Sequence, residues 1–173
     1  SSNLTVTYTS SNTNVATVSG STVSIVGAGE TTITASQAGN DSYSAATDVT
    51  QVLTVNKATL TATADDKSKT YGEENPTLSI SYTGFVNGDD ETAITQPTAS
   101  TTADAGSDAG TYAITLSGGA ADNYSLTTVN GTLTIGKATL TARADDKERA
   151  VGQENPEFTI LQLVTQNTVS NSS

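Results

Sequence analysis

The sequence contains no cysteine, histidine, methionine or tryptophan. Without cysteine and histidine the chain has no Ser-His-Asp triad, no cysteine nucleophile and none of the usual zinc or iron ligand sets. Aromatic residues make up only 5% of the chain, and no apolar run approaches the roughly 20 residues that span a bilayer. These absences predict a protein that is not an enzyme and that inserts no segment into a membrane. The missing methionine also predicts a fragment or a processed segment.

Positive charge is scarce as well. Seven basic residues stand against 18 acidic ones, which gives a formal net charge of -11. Nucleic-acid binding requires clustered lysine and arginine, so we expect no nucleic-acid partner. Zero cysteine excludes disulfide staples, so each domain must be held together by its own core.

What the chain has in quantity is serine and threonine, roughly a third of all residues against a much smaller share in average domains. Apolar side chains alternate with these polar ones in many short segments, as in Leu4-Thr-Val-Thr-Tyr8 and Tyr112-Ala-Ile-Thr-Leu116. Period-two alternation interrupted by turn residues is typical of half-buried strands. Asn130-Gly131 predicts a type I′ hairpin turn. The sequence therefore predicts an all-β protein made of tandem small β-sandwich domains.

A long internal repeat divides the chain. Residues 57–80 return as residues 137–160, with about 15 of 24 positions identical, and a period of about 80 residues suits a whole small domain rather than a solenoid unit. We predict three segments: 1–56, a first domain of different sequence; 57–136, a complete repeat; and 137–173, the truncated start of a second copy with a divergent tail. We expect this partial copy to pair with a neighbouring edge strand or to be poorly ordered.

The junctions between these segments have no linker. The strands around Leu53 and Leu133 run directly into Lys57-Ala-Thr-Leu-Thr61 and Lys137-Ala-Thr-Leu-Thr141, without a run of glycine, serine or proline. So few free residues predict a restricted orientation between neighbouring domains, which suits a spacer.

Residues 57–136 resemble the MBG domains of the YGX type found in bacterial surface proteins. The resemblance rests on landmarks along the whole segment: Lys57-Ala-Thr-Leu-Thr61, Ala64-Asp-Asp-Lys-Ser-Lys-Thr-Tyr-Gly72, Asn75-Pro76, Tyr82-Thr-Gly-Phe-Val-Asn-Gly-Asp89, Gly110-Thr-Tyr112, Asn123-Tyr124 and Asn130-Gly-Thr-Leu133. The second copy departs from it at Ala150-Val151-Gly152. Residues 1–56 are similar to a bacterial immunoglobulin-like domain of the Big2 kind, through Tyr8–Val18, Val23–Gly29 and Thr31–Ala35, without the usual first strand. These resemblances imply a secreted or cell-surface bacterial protein of the adhesin type.

The acidic segment Asn87-Gly-Asp-Asp-Glu91 contains the main chemical candidates. Asp89, Asp90 and Glu91 offer carboxylate oxygens for calcium, but their spacing matches neither of the common calcium-loop patterns, so a solvated turn is favoured. Residues 89–94 also predict one helical turn, which leaves a grasp-like topology open for the repeat. We expect no other cofactor. Asp65-Asp66 and Asp145-Asp146 predict turn or ion-pair roles, and Tyr71-Gly72 predicts a corner with a packed ring.

Two functions remain from this reading. The first is a non-catalytic stalk or spacer whose partners are the adjacent repeats of the same chain. The second is a module that binds a glycan or a surface protein. Exposed tyrosines (Tyr43, Tyr82 or Tyr124) beside a polar pocket would favour the second function, and packed tyrosines the first.

Overall fold

Short strands make up most of the regular structure in the computed structural model, which describes residues 3–164. The only helical element in this range is a 3-10 helix at Glu91–Ala93, which confirms the predicted helical turn. The all-β prediction is confirmed, with several small sheets in a sandwich-like fold. The strands are β1 Thr7–Ser10, β2 Ala16–Ser19, β3 Thr22–Ile25, β4 Gly29–Ser36, β5 Val49–Val55, β6 Ala58–Ala64, β7 Lys67–Thr70, β8 Ile80–Thr83, β9 Thr98–Thr101, β10 Gly110–Ser117, β11 Tyr124–Val129, β12 Gly131–Gly136, β13 Leu140–Ala144 and β14 Ile160–Val164.

The chain forms two compact units. The first contains the residues up to Thr63, then Ser81–Thr98 and Leu116–Val129, and the second contains Ala64–Ile80, Ala99–Thr115 and the chain from Asn130 on. The complete repeat of residues 57–136 contributes strands to both units. No helix within residues 3–164 has the length and hydropathy needed to cross a bilayer.

The first unit contains two three-stranded sheets and a hairpin. One sheet has the order β1-β4-β5 and is antiparallel, and β2 pairs with β3 around the predicted turn at Gly20, whose φ is +59°. The other sheet has the order β11-β6-β8. In it β11 runs parallel to β6, with Tyr124 opposite Ala58 and Val129 opposite Thr63.

The second unit contains a four-stranded sheet, β7-β12-β10-β9, and the pair β13-β14. Strand β12 is antiparallel to β10 and parallel to β7, with Leu133 opposite Lys67 and Gly136 opposite Thr70. The offset between paired residues is 66 in both parallel pairs, β11 with β6 and β12 with β7. The last two strands of the repeat therefore follow its first two strands in one unbroken register, although each strand pair belongs to a different sheet.

The hairpin predicted at Asn130-Gly131 is wrong. Strands β11 and β12 flank these residues but lie in different sheets, and neither residue has a positive φ. Gly131 is needed for another reason. A Cβ atom at this position would lie 2.3 Å from the carbonyl oxygen of Ala64 and 2.9 Å from its carbonyl carbon. The residue is glycine because the backbone of β12 passes directly over the backbone at the end of β6, where both chains change sheets.

Buried side chains follow the predicted alternation most closely in the repeat. Leu60, Ala62 and Ala64 of β6 are buried while the threonines between them are more exposed, and Leu133 and Ile135 of β12 follow the same rule. Within residues 1–56 the buried apolar side chains are Val15 and Ala16. The buried Thr31 there forms a polar cluster in which its Oγ1 lies 2.7 Å from Ser10 Oγ and accepts the Asn12 N–H at 2.9 Å. The repeat therefore has a larger apolar core than the segment before it.

Candidate functional site

The three predicted acidic residues lie together in the chain, but two of their carboxylates are engaged by different groups. Asp90 is the N-cap of the 3-10 helix and accepts the Thr92 N–H at 2.9 Å and the Thr92 hydroxyl at 2.6 Å. These bonds stabilise the charged form and hold the pKa of Asp90 below its usual value. Asp89 instead accepts a hydrogen bond from the Tyr124 hydroxyl at 2.5 Å. The caps and turns that the sequence favoured therefore account for Asp89 and Asp90.

An aromatic cluster lies behind this acidic loop. The rings of Tyr82 and Phe85 are 5.7 Å apart, and Phe85 meets Tyr124 edge to face at 5.6 Å. The Tyr124 hydroxyl donates to Asp89 and accepts the Val86 N–H at 3.2 Å. Strand β11, which carries Tyr124, is thereby hydrogen-bonded to the loop after β8 through a side chain that is only 2% exposed.

Both tyrosines of the cluster favour their neutral form. The hydrogen bond to Asp89 raises the pKa of Tyr124, and burial adds to the rise. Burial raises the pKa of Tyr82, with a further contribution from the negative charge of Glu91. The Tyr82 hydroxyl is buried without a hydrogen-bond partner among the described residues. These are packed rings with a structural role, whereas Tyr43, which lies outside the cluster, is 54% exposed.

The arrangement offers no cluster of metal ligands in the part of the chain that the structure describes, taking three or more His, Cys, Asp or Glu side chains as the criterion. Calcium binding by Asp89, Asp90 and Glu91 stays a prediction of the sequence. A calcium ion there would have to compete with the Tyr124 and Thr92 hydroxyl groups for the oxygens of Asp89 and Asp90.

The paired aspartates after β6 and β13 make the same contacts in both copies of the repeat. Asp65 donates its N–H to the Ser79 carbonyl at 3.0 Å, and its carboxylate accepts the Ser79 hydroxyl. In the second copy Asp145 donates its N–H to the Thr159 carbonyl at 3.1 Å, and its carboxylate accepts the Thr159 hydroxyl. Asp66 accepts the Thr132 N–H at 2.7 Å. These aspartates close the bend between sheets, as a turn role requires.

The loop after β7 contains a buried lysine that the sequence reading missed. Lys69 is 8% exposed, and its Nζ donates to the carbonyl oxygens of Glu73 at 3.0 Å and Asp104 at 2.6 Å. Asn75 reaches the same segment by donating to the Ala103 carbonyl at 2.6 Å. In the second copy Arg149 donates to the Gln153 carbonyl at 2.8 Å, which is the position of Glu73. A basic residue at this position therefore closes the loop in both copies.

The Tyr71-Gly72 corner is half as predicted. Gly72 has a φ of +88°, and its copy Gly152 has a φ of +90°, so the backbone freedom of glycine is required at both corners. The Tyr71 ring does not pack, because 48% of the residue is exposed. The Tyr71 N–H donates to the Gly136 carbonyl at 2.8 Å, so this residue contributes its backbone to the corner. Its replacement by Val151 in the second copy fits that reading.

The junction between the first segment and the repeat is hydrogen-bonded on several sides. Only Asn56 and Lys57 separate β5 from β6. Lys57 Nζ donates to the Ala121 carbonyl at 2.9 Å, and the Ala58 N–H donates to the Asn123 carbonyl at 3.0 Å. The Asn123 side chain turns toward the first segment, where its Oδ1 accepts the Ala28 N–H at 2.9 Å.

Asn123 therefore joins two segments that are 95 residues apart in sequence. The loop that it meets fits closely, since a Cβ at Gly27 would lie 3.0 Å from Asn123 Oδ1 and 2.8 Å from the Asn14 carbonyl oxygen. The sequence identified Asn123-Tyr124 as a family landmark but assigned no contact to the asparagine. No local signal predicts this contact, because it exists only between two modules.

Comparison with known families agrees with the repeat. Residues 60–134 match the family model described as the MBG domain of the YGX type, and this confirms the resemblance predicted for residues 57–136. A domain of this family indicates a bacterial surface repeat module of a non-enzymatic kind. The resemblance of residues 1–56 to a Big2-type domain stays a prediction. The comparison with curated proteins finds no match for the chain.

Proposed function

We propose that this chain is a non-catalytic spacer of a secreted, adhesin-like bacterial surface protein, and that its modules hold a neighbouring domain in a defined direction. The observation that supports this is the first junction. Two residues of connecting chain and the bonds of Lys57, Ala58 and Asn123 leave little freedom for bending there. A linker of serine and glycine would behave as a random coil instead.

The packed tyrosines support the same function. Binding modules for glycans present exposed aromatic platforms, but Tyr124 is buried and the Tyr82 ring packs against Phe85. Their hydroxyl and ring contacts stabilise the repeat itself. The match of residues 60–134 to a surface repeat family agrees with a function that depends on fold rather than on a catalytic site.

The junction can be tested by changing Asn123 to alanine in the full chain. This removes the side-chain bond to Ala28 and keeps the backbone bond to Ala58. We expect residual dipolar couplings to show a common alignment of residues 7–55 and residues 58–129 in the parent chain and a reduced alignment of one against the other in the variant. Asp122→Ala, at the exposed neighbouring position, serves as the control and should keep the parent values.

Two results would contradict the proposal. Independent alignment of the two segments in the parent chain would show that the junction does not restrict motion. Saturable binding of residues 57–136 on a glycan array would favour the alternative function, a ligand-binding adhesion module. A spacer gives neither result.

A further inference from the structure

The two copies of the repeat allow the same sequence to be compared in two settings. In the complete copy, β6 lies between β8 on one edge and β11 on the other. In the second copy β13 pairs with β14, with Leu140 opposite Val164 and Ala144 opposite Ile160. The contacts of Asp145 with Thr159 repeat those of Asp65 with Ser79. This edge of the second copy is therefore built like the complete one.

The opposite edge of the second copy differs. Among residues 3–164, β14 is the one strand that pairs with β13, so nothing described there takes the place of β11. The segment Lys147–Ala150 corresponds to β7 but is not a strand. In the complete copy β7 pairs only with β12, which explains why its counterpart lacks strand structure here. Both missing partners belong to one continuous segment, Tyr124–Gly136.

The exposure of the core positions shows what that segment covers. Leu60 is 0% exposed in the complete copy, and its counterpart Leu140 is 59% exposed. Ala62 is buried and Ala142 is exposed in the same way. Ile160 and Phe158 on the neighbouring segment are 70% and 86% exposed. The apolar pattern of a buried strand is thus present on β13 without its cover.

We propose that residues 138–150 form an acceptor edge that binds a polypeptide segment with the sequence of residues 124–136, in parallel and in the register of the complete repeat. Leu126 of the bound segment then lies opposite Leu140, and Leu133 lies opposite Lys147. Asp146 accepts the N–H of the bound Thr132, as Asp66 does in the complete copy. Backbone hydrogen bonds supply the affinity, and the side chains set the register. This inference does not depend on the spacer function.

The structure also states which sequences are excluded. Gly131 passes so close to Ala64 that a Cβ would lie 2.3 Å from its carbonyl oxygen. The counterpart of Ala64 is Ala144, so any side chain at the Gly131 position of the bound segment would collide with the Ala144 carbonyl. A segment with Gly131→Val keeps the strand propensity but loses the fit. It is the matched control for the test.

The test uses the full chain labelled with nitrogen-15 and a synthetic peptide of residues 121–136. We expect saturable chemical-shift changes and slower amide hydrogen exchange in residues 138–150. The amides of β6 and β7 should stay unchanged, because the chain's own β11 and β12 occupy that edge. A spin label on the amino end of the peptide should broaden amides near residue 138 rather than near residue 150, which distinguishes parallel from antiparallel pairing.

Two variants make the test specific. The Gly131→Val peptide should show no saturable binding, and Asp146→Ala in the chain should weaken binding of the parent peptide by about five-fold, through loss of one charge-assisted hydrogen bond. Equal binding of both peptides, antiparallel broadening, or unchanged amides in residues 138–150 at saturating peptide would each overturn the proposal.

Discussion

The close passage of β12 over the end of β6 predicts an unusual sensitivity at one glycine. Gly131→Ala adds a Cβ that would lie 2.3, 2.9 and 3.2 Å from three backbone atoms of Ala64 and Asp65. A carbon atom needs more than 3 Å from a backbone oxygen, and neither backbone can move aside like a flexible side chain. The new atom must therefore push β12 away by nearly 1 Å.

The expected cost follows from this displacement. Overpacking of a close-packed site costs about 1–3 kcal/mol, and the shift also stretches the Thr132 N–H bond to Asp66, which is 2.7 Å long in the parent chain. We expect Gly131→Ala to lower the free energy of unfolding by about 3 kcal/mol, at the upper end of this range.

Gly136 on the same strand is the control. It has no positive φ, and its added Cβ would lie 3.8 Å from the nearest backbone atom, the Lys69 carbonyl oxygen, which is an ordinary contact. Gly136→Ala should leave stability unchanged or raise it by up to about 1 kcal/mol, because alanine reduces the freedom of the unfolded chain. Urea unfolding followed by circular dichroism measures both. If the two variants agree within about 0.5 kcal/mol, the steric argument for Gly131 is wrong.

Two further predictions use the copies and the tyrosines. Leu60→Ala should lower the free energy of unfolding by about 2–5 kcal/mol because the side chain is fully buried, whereas Leu140→Ala, 59% exposed, should cost much less; equal losses in urea titrations would contradict this. Raised pKa values of Tyr82 and Tyr124 mean that the folded state holds these protons more tightly. Their contribution is complete below the unfolded pKa near 10 and disappears as pH rises through the folded values. Tyr124→Phe should therefore reduce the alkaline loss of stability, and an unchanged pH profile would argue against this assignment.

Local pattern was enough to predict the strands of the repeat. Leu60, Ala62 and Ala64 alternate with threonines in the sequence, and they are buried in the structure as that alternation requires. The helical turn was also readable, because Asp90 stands at a cap position before Thr92. Such features depend on neighbours within a few residues, and the sequence states those neighbours directly.

Features that depend on distant neighbours were missed or misassigned. Asn130-Gly131 has the composition of a hairpin turn, but the partner that requires Gly131 to be glycine is Ala64. Asn123 meets Ala28 through a contact between modules. The solvent exposure of the Tyr71 ring likewise could not be read from its glycine neighbour. In each case the deciding contact joins residues far apart in sequence, and a single sequence gives no signal for such pairs.

The parallel register of the first and last strands has a mechanical consequence. Tension along the chain would enter the repeat at Ala58 and leave it at Gly136, and these residues lie at opposite ends of the paired segments. Pulling then slides the strands along one another, so the evenly spaced hydrogen bonds share the load rather than opening one after another. A module connected in this way resists stretching more strongly than its small core alone would suggest.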